Sequence, residues 1–506
     1  MVEIKPFVVS QPHSLVVVSN RGPVTLEETE RGIEVKISSG GLVSAVEPII
    51  REVGGIWVAW SGRAETGEKP GDAELIPLPA EHPRYYFSEL KLNQEEIIGF
   101  YQGFTNACLW PLCHSLIEKT VFDERQWRTY VQVNQKFAAA ALKVAGPRQP
   151  VWVHDYHLAL LPLMLKKRSC NARVSLFWHI PFPAADLFQA LPWAREILSG
   201  MLGSELIAFH TRQYALNFLG SVERILGGDV DYQKGAVFWE GREVKVRSAP
   251  IGIDWRDFEA RARNERVRRR ALEIRDLAGG EWLLLGVDRL DYTKGILERL
   301  RALEILWERY PEWRRRLTLI QVAVPSRIEV PGYQQLRREV EEAIGRINGR
   351  FTEDYRVPIK YVFRSVSRDE LVAHYLAADL AMVTPLRDGL NLVAKEYVIS
   401  KVDAEGILLL SQLAGSAEQL GEALMVNPYN PGEVAQRIIQ GIAMPGEEKR
   451  RRLAAMQKGI REQDGQWWWE QISNEWLGSY KKRMVIAPPS CDSGQLEKYL
   501  RGLNLG

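Results

Sequence analysis

Two acids, Asp388 and Glu396, stand in the stretch TPLRDGLNLVAKEY, residues 384–397, the first beside a glycine at what reads as a strand end. Gly389 and Asn391 permit a tight turn into a helix, and eight residues of helix advance about 12 Å, roughly the span from a sugar ring to the ribose of a folded nucleotide-diphosphate sugar. Each carboxylate could then accept hydrogen bonds from neighbouring hydroxyls of one sugar, as an acid does for ribose in dinucleotide sites. The same pattern also suits an acid favoured by a helix dipole followed by a surface glutamate. A second stretch, LLLGVDRLDYTKGILERL, residues 283–300, ends an apolar run in a loop with Arg289 and Lys294, and Gly295 precedes the next helix. Cations at the carboxyl end of a parallel strand lie where open α/β sheets bind ligands, and arginine grips a diphosphate bidentately while lysine adds a point charge. An ion network of Arg289 with Asp288 or Asp291 at the surface is the equal alternative.

Three further groups invite chemistry. In SSGGLVSAVEPII, residues 38–50, Gly40 and Gly41 precede an amphipathic helix, so backbone N–H groups could face a phosphate, although most such turns are simple connections. The pattern is neither a dinucleotide fingerprint nor a Walker A loop, which weighs against dehydrogenase and nucleotide-hydrolase readings. His154, Asp155 and His157 of HDYH, and Asp229 and Asp231 of GGDVDY, have spacings that suggest metal ligands. Neither has a recognisable third arm, and a histidine at a strand end is more often hydrogen-bonded, so we expect no metal and no cofactor. Cys108 and Cys113 with His114 read as packing in the core.

Such residues need strands to carry them. Short apolar runs (SLVVVSN, IWVAWS, VWVHDY, RVSLFWHI, ELIAFHT, then WLLLGVD, LTLIQVAV, IKYVFRS, LAMVTP and GILLLS) alternate with helical stretches across 506 residues. Runs buried on both faces suit parallel sheets flanked by helices, so the fold class is α/β with two doubly wound domains. The joint falls in APIGIDWRDFEA, residues 249–260, before a basic helix, RARNERVRRRALEIR, read as a solvated face with its Leu and Ile packing inward. With 66 basic and 64 acidic residues no global field recruits nucleic acid or an anionic membrane. Four scattered cysteines fit a reducing compartment, no run reaches the ~18 apolar residues of a membrane span, and cytoplasm is the default location. The tail from about Ala487 carries prolines and small polar residues and is expected to be partly disordered.

Taken together, these stretches resemble the trehalose-6-phosphate synthase family of retaining glycosyltransferases, from about Ser14 to about Lys482. The resemblance rests on VVVSNRGPV, SSGGL, WVAWSG, NACLWPL, VHDYHL, HIPFP, PIGID, DRLDYTKG, RINGRF, TPLRDGLNLVAKEY and VNPYNP, in the family's order. It implies two Rossmann-like domains facing a cleft, the GT-B fold, with a last helix crossing back onto the first domain. The expected divisions are 1–252 for the acceptor, 253–462 for the nucleotide sugar, 463–486 for the returning helix and 487–506 for a tail. The implied reaction transfers glucose, with retention, from a nucleotide-diphosphate glucose (UDP-glucose before GDP- or ADP-glucose) to glucose 6-phosphate. For the donor the resemblance implies Arg289 and Lys294 on the diphosphate with the Gly41 backbone, Glu396 on the ribose, and Asp388 and His179 on glucose hydroxyls. Arg289, Lys294, Asp388 and His179 would also be the catalytic set. For the acceptor it implies Arg21, Tyr101, Trp110 and Arg327 around the phosphate, with Trp60 and Asp155 lining the same pocket. The departure SGRAETG and the lengthened loop around Arg31 bear on acceptor preference, so a glucosylglycerol-phosphate synthase, a cyclitol-coupling pseudo-glycosyltransferase and a non-catalytic sensor remain alternatives. Donor base and oligomeric state are not legible; a homo-oligomer stays open.

Overall fold

The computed structural model describes residues 15–478, apart from 30–31, 38–39, 66–74, 147–148, 170–171, 328 and 403–404. The Arg31 stretch, the serines of SSGG, the end of SGRAETG, Cys170, Cys491 and the tail from residue 487 lie outside the described residues. The chain divides into two compact units, Met1–Ala249 with Trp468–Gly506, and Pro250–Trp467.

The first unit is built on a ten-stranded sheet whose core runs Arg242–Ser248, Leu206–Phe209, Arg173–Trp178, Pro150–His154, Leu15–Arg21, Gly55–Ala64 and Tyr85–Leu92, every neighbour parallel. Antiparallel strands close both edges, Leu75–Leu78 on one side and the hairpin of Asp229–Asp231 and Ala236–Trp239 on the other. The reason for the parallel core is visible in LVVVSNR: the strand is buried from Leu15 to Asn20, on both faces, and only Arg21 at its carboxyl end is exposed. Chain order reverses between Leu15–Arg21 and Pro150–His154, so their carboxyl ends, at Arg21 and at Asp155, border the crevice where such sheets bind ligands.

The second unit holds a six-stranded, all-parallel sheet in the order Ile359–Val362, Leu317–Val324, Trp282–Arg289, Leu380–Val383, Ile407–Ser411, Leu424–Val426. On Trp282–Arg289 the alternation splits cleanly: Leu283, Leu285 and Val287 enter one core and Leu284 the other. The reversal falls between Trp282–Arg289 and Leu380–Val383, which brings the DRLDYTKG loop beside the TPLRDG loop. The basic segment forms two helices, Trp255–Arg263 and Glu265–Ala278, divided at Asn264, which caps the second. Val267, Ala271, Ile274 and Ala278 make its buried stripe. Leu272, expected inward, lies off that stripe and is 65% exposed.

The helix Gly465–Leu477 returns the chain to the first unit, and the expected pair of Rossmann-like domains with a final helix on the first is what the chain forms. Trp468 packs on Trp152 and Phe177, each at 5.1 Å between ring centroids, and Arg173 donates to the Trp476 carbonyl at 2.8 Å. At ~25 cal/mol per Å2 and ~200 Å2 for an indole, burying Trp468 is worth on the order of 5 kcal/mol before entropy is counted. Among the described residues no helix is long and apolar enough to cross a membrane.

Candidate active site

In the first unit the ends of neighbouring strands assemble an aromatic and cationic group. The Arg21 guanidinium lies 4.8 Å over the Trp60 ring, with Arg21 and Trp60 in register on adjacent strands. Gly62, at φ 101°, makes this possible, because a Cβ there would collide with that guanidinium. Trp60 meets Tyr101 edge to face at 5.4 Å, and Tyr101 stacks on His157 at 6.2 Å. Tyr101 sits on a π-helix, Ile97–Leu109, whose wide turns are closed from within: the Tyr101 carbonyl accepts from Thr105 Oγ1 and from Asn106 Nδ2, both at 2.7 Å. Asn106 in turn accepts from Tyr156 Oη at 3.0 Å. Trp110 is buried beside Tyr156 at 6.0 Å and His114 at 4.2 Å between ring centroids. Cys108 and Cys113 are buried here as free thiols, and burial pushes Cys108 up to about 12.

Asp155 takes a left-handed backbone, φ 75°, at the end of its strand. One carboxylate oxygen accepts from the Tyr156 N–H at 2.9 Å and from the His179 N–H at 3.1 Å, so the acid ties the HDYH loop to the HIPFP loop. His179 is half-buried as a residue, and its Nε2 lies 3.0 Å from Nδ1 of the fully buried His154. Burial lowers His179 to about 3, so its imidazole is neutral at physiological pH. Where spacing left a metal reading open for His154, its ring nitrogen is paired with His179. Asp229 and Asp231 form an edge strand, and Asp231 accepts from the Gln233 and Lys234 N–H groups of the hairpin turn. Gly41 opens the helix Gly41–Val53, whose N-cap, Gly40, supplies no side-chain acceptor to the first turn.

In the second unit the cations gather where the chain order reverses. Arg289 ends its strand, and Lys294 bonds the Asp388 carboxylate of the neighbouring loop. Gly295, at φ 64°, lets the turn pass the Thr384 carbonyl, which a Cβ would strike. Asp388 Oδ2 also accepts from Asn391 Nδ2 at 3.1 Å. The alternative set its ion network at the surface, but both of its acids are buried. Asp288 is buried against Arg299 at 2.6 Å, and Asp291 is fully buried, accepting from the Thr293 N–H at 3.0 Å, Thr293 Oγ1 at 2.9 Å and Tyr333 Oη at 3.2 Å. Arg327, at φ 50°, points into the same group, 3.5 Å from Asp291 and bonded to Tyr333. Burial would raise Asp291, but the charges of Arg327, Arg289 and Lys294 outweigh it and hold the carboxyl at about 2.

Glu396 lies within the helix Leu392–Ser400 and accepts from Tyr375 Oη at 2.7 Å. Burial raises its pKa. Of the residues expected at the acceptor, Arg21, Trp60, Tyr101, Trp110 and Asp155 belong to the first unit and Arg327 to the second, beside the cations expected at the donor; of the donor set, Gly41 and His179 belong to the first unit. His154, Asp291, Tyr333 and Tyr375 hold these side chains, and the sequence alone gives none of them a donor or acceptor role. The His154–His179 pair had one local signal, the apolar runs VWVH and RVSLFWH ending alike, since parallel pairing sets His154 opposite Phe177.

The family model described as glycosyltransferase family 20 matches residues 13–476. The trehalose-6-phosphate synthase of Mycolicibacterium smegmatis is 40% identical over 495 residues, which cover 96% of this chain and 95% of that protein. The bifunctional trehalose-6-phosphate synthase/phosphatase of Thermoproteus tenax is 42% identical over 461 residues, 89% of this chain, and the chain covers 61% of that protein's length. The crystal structure of a UDP-forming α,α-trehalose-phosphate synthase from Burkholderia xenovorans in complex with glucose 6-phosphate is 31% identical, with a TM-score of 0.85 over 92% of this chain and 100% of that one. A match across nearly the whole of both sheets, with the family's motifs at their strand ends, places the chain in glycosyltransferase family 20.

Proposed function

We propose that the chain transfers glucose from UDP-glucose to glucose 6-phosphate with retention of the anomeric configuration, releasing UDP and giving α,α-trehalose 6-phosphate. The observation that carries this reading is the cation group at the carboxyl edge of the second sheet, where Lys294 meets Asp388 and where Arg289 and Arg327 surround Asp291. The names of the relatives supply the substrate class: a synthase of trehalose 6-phosphate, UDP-forming, with glucose 6-phosphate bound in one structure.

Breaking the glycosidic bond leaves negative charge on the departing diphosphate, and fixed cations stabilise that charge more in the transition state than in the ground state. We assign this task to Arg289 and Lys294, with the Gly41 N–H assisting. Glu396 takes the ribose hydroxyls, and Asp388 and His179 take hydroxyls of the glucose. Asp388 is a poor covalent nucleophile, because its carboxylate already receives Lys294 and the Asn391 amide. It positions, and the two-carboxylate scheme of glycoside hydrolysis does not apply. The leaving phosphate oxygen takes the acceptor proton on the same face. To the acceptor we assign Arg21, Tyr101, Trp110 and Arg327 around the phosphate, with Trp60 and Asp155 beside them; paired guanidinium groups suit a phosphomonoester. In this reading Pro250–Trp467 is the nucleotide-sugar domain and Met1–Ala249 the acceptor domain, with the helix Gly465–Leu477 returning to it. Both substrates are intracellular phosphate esters, so we place the enzyme in the cytoplasm.

The test is a matrix of UDP-, GDP- and ADP-glucose against glucose 6-phosphate, fructose 6-phosphate and glycerol 3-phosphate, with product mass and anomeric configuration determined. The reading requires an α,α-linked hexose disaccharide phosphate from UDP-glucose and glucose 6-phosphate as the fastest pair. A faster reaction with glycerol 3-phosphate would replace it.

A further inference from the structure

Glucose transfer as proposed uses His179 and leaves its buried neighbour without a task. His154 is wholly inside the first unit, at the end of the strand Pro150–His154, with Trp152 at 4.4 Å and Trp468 at 6.4 Å between ring centroids. Its Nδ1 lies 3.0 Å from His179 Nε2, and among the described residues its Nε2 has no hydrogen-bond partner. Two neutral imidazoles joined nitrogen to nitrogen share one hydrogen, so only two arrangements exist. In one, His179 donates from Nε2, and the proton of His154 must then sit on the enclosed Nε2 among indole rings. In the other, His154 donates from Nδ1, its Nε2 is a bare lone pair, and the proton of His179 is on Nδ1. An orphaned buried N–H costs more than an under-used lone pair and is far rarer, so the second arrangement is the stable one. The ring of His179 is held by this bond, by Phe177 at 4.5 Å and by His210 at 5.2 Å, while its backbone N–H is held by Asp155 at 3.1 Å.

We infer that His154 is a positioning residue that locks His179 in the Nδ1–H tautomer, so that His179 offers the donor sugar a hydrogen and not a lone pair. The inference rests on the assignment of His179 to a glucose hydroxyl under the proposed function. A neutral donor at that point can bond a hydroxyl oxygen without adding a charge that would compete with the cations for the diphosphate. Burial lowers the pKa of both rings, for His154 with the charge of His179 as a second cause, so the pair shares a single bridging hydrogen at neutral pH.

The experiment uses the whole protein with 15N-labelled histidine. The ring nitrogens of His179 are identified by their loss in His179→Gln, and the tautomer is read from which nitrogen carries the proton. We expect Nδ1–H in the parent and a substantial Nε2–H fraction in His154→Leu; Nε2–H in the parent would overturn the inference whatever the variants do. In turnover, His154→Asn keeps an N–H near the place of Nδ1 and should retain most of kcat. His154→Leu should lose about tenfold in kcat, the scale of one net hydrogen bond, with the acceptor KM near that of the parent. Equal losses in Asn and Leu variants would show that packing, not the hydrogen bond, is what His154 supplies. Unchanged turnover in His179→Gln would remove the donor-sugar role on which the inference rests, while the nitrogen spectrum would still decide the tautomer.

Discussion

Lys294 and Asp388, far apart in the chain, bond to one another across the point where the second sheet reverses its strand order. Their strands do not set this distance alone. The Leu386 N–H donates to the Thr293 carbonyl at 2.8 Å, and Gly295 gives up a side chain so that the turn can pass Thr384. An ammonium held this way loses little freedom when a diphosphate arrives, which is what electrostatic preorganisation requires.

Tyr375 steadies Glu396 from an adjacent helix. Tyr375→Phe removes the hydroxyl at 2.7 Å and leaves the half-buried carboxylate short of a donor. We expect the donor KM to rise about tenfold and the acceptor KM to stay within twofold, with a stability loss of ~1–3 kcal/mol. Steady-state kinetics with each substrate varied, and urea unfolding, check both.

Gly62 sets the place of Arg21. A methyl group at residue 62 would meet the Arg21 guanidinium at a backbone angle that L side chains rarely adopt. Gly62→Ala should therefore raise the KM for glucose 6-phosphate by about tenfold or more, the scale of one charge-assisted hydrogen bond, and leave the donor KM almost unchanged. A variant that loses both equally would show that the loop has collapsed as a whole.

Arg327 stands beside donor cations although we assign it to the acceptor. Arg327→Ala should raise the acceptor KM far more than the donor KM, by on the order of a hundredfold for a lost guanidinium–phosphate pair. Equal losses would move Arg327 to the diphosphate.

Asp291 should leave a mark on acid stability. Its folded pKa, about 2, lies below the unfolded value, so its contribution is complete above the unfolded pKa and disappears as pH falls through the folded one, between about pH 4 and pH 2. Comparing the pH dependence of the urea midpoint in the parent and in Asp291→Asn should show a flatter slope in the variant over that window. Because Asp291 is enclosed by three cations, the variant should also be less stable at pH 7, by ~3–5 kcal/mol. His179 shifts stability in the same direction: held low, it is charged in the unfolded chain before the folded one as pH falls, and it should add no inflection to the turnover profile between pH 5 and 8.

Much of this was legible because strand ends and turn chemistry are local. The runs WLLLGVD and LAMVTP announce buried parallel strands, and the loop leaving the carboxyl end of a strand in a doubly wound fold faces ligand, so Arg289, Lys294 and Asp388 stand out. The supporting shell was not legible. Tyr375 and Glu396 sit on separate helices, and no period in either segment records their meeting. The π-helix Ile97–Leu109 escapes a 3.6-residue template, and its Gly99 and Gly103 admit the close approach of Thr129 and Gln126, which no local pattern records. Leu272 shows the reverse error, an apolar residue assigned to a core that its helical phase does not reach.

The central claim is that fixed cations absorb the charge left on the departing diphosphate. Its most direct test is single-turnover transfer from UDP-glucose by Arg289→Ala/Lys294→Ala, with folding verified by near-UV circular dichroism. The account predicts a loss of at least ~10³-fold in the rate of the chemical step at saturating substrates. A rate within a few fold of the parent, in a folded double variant, would contradict it.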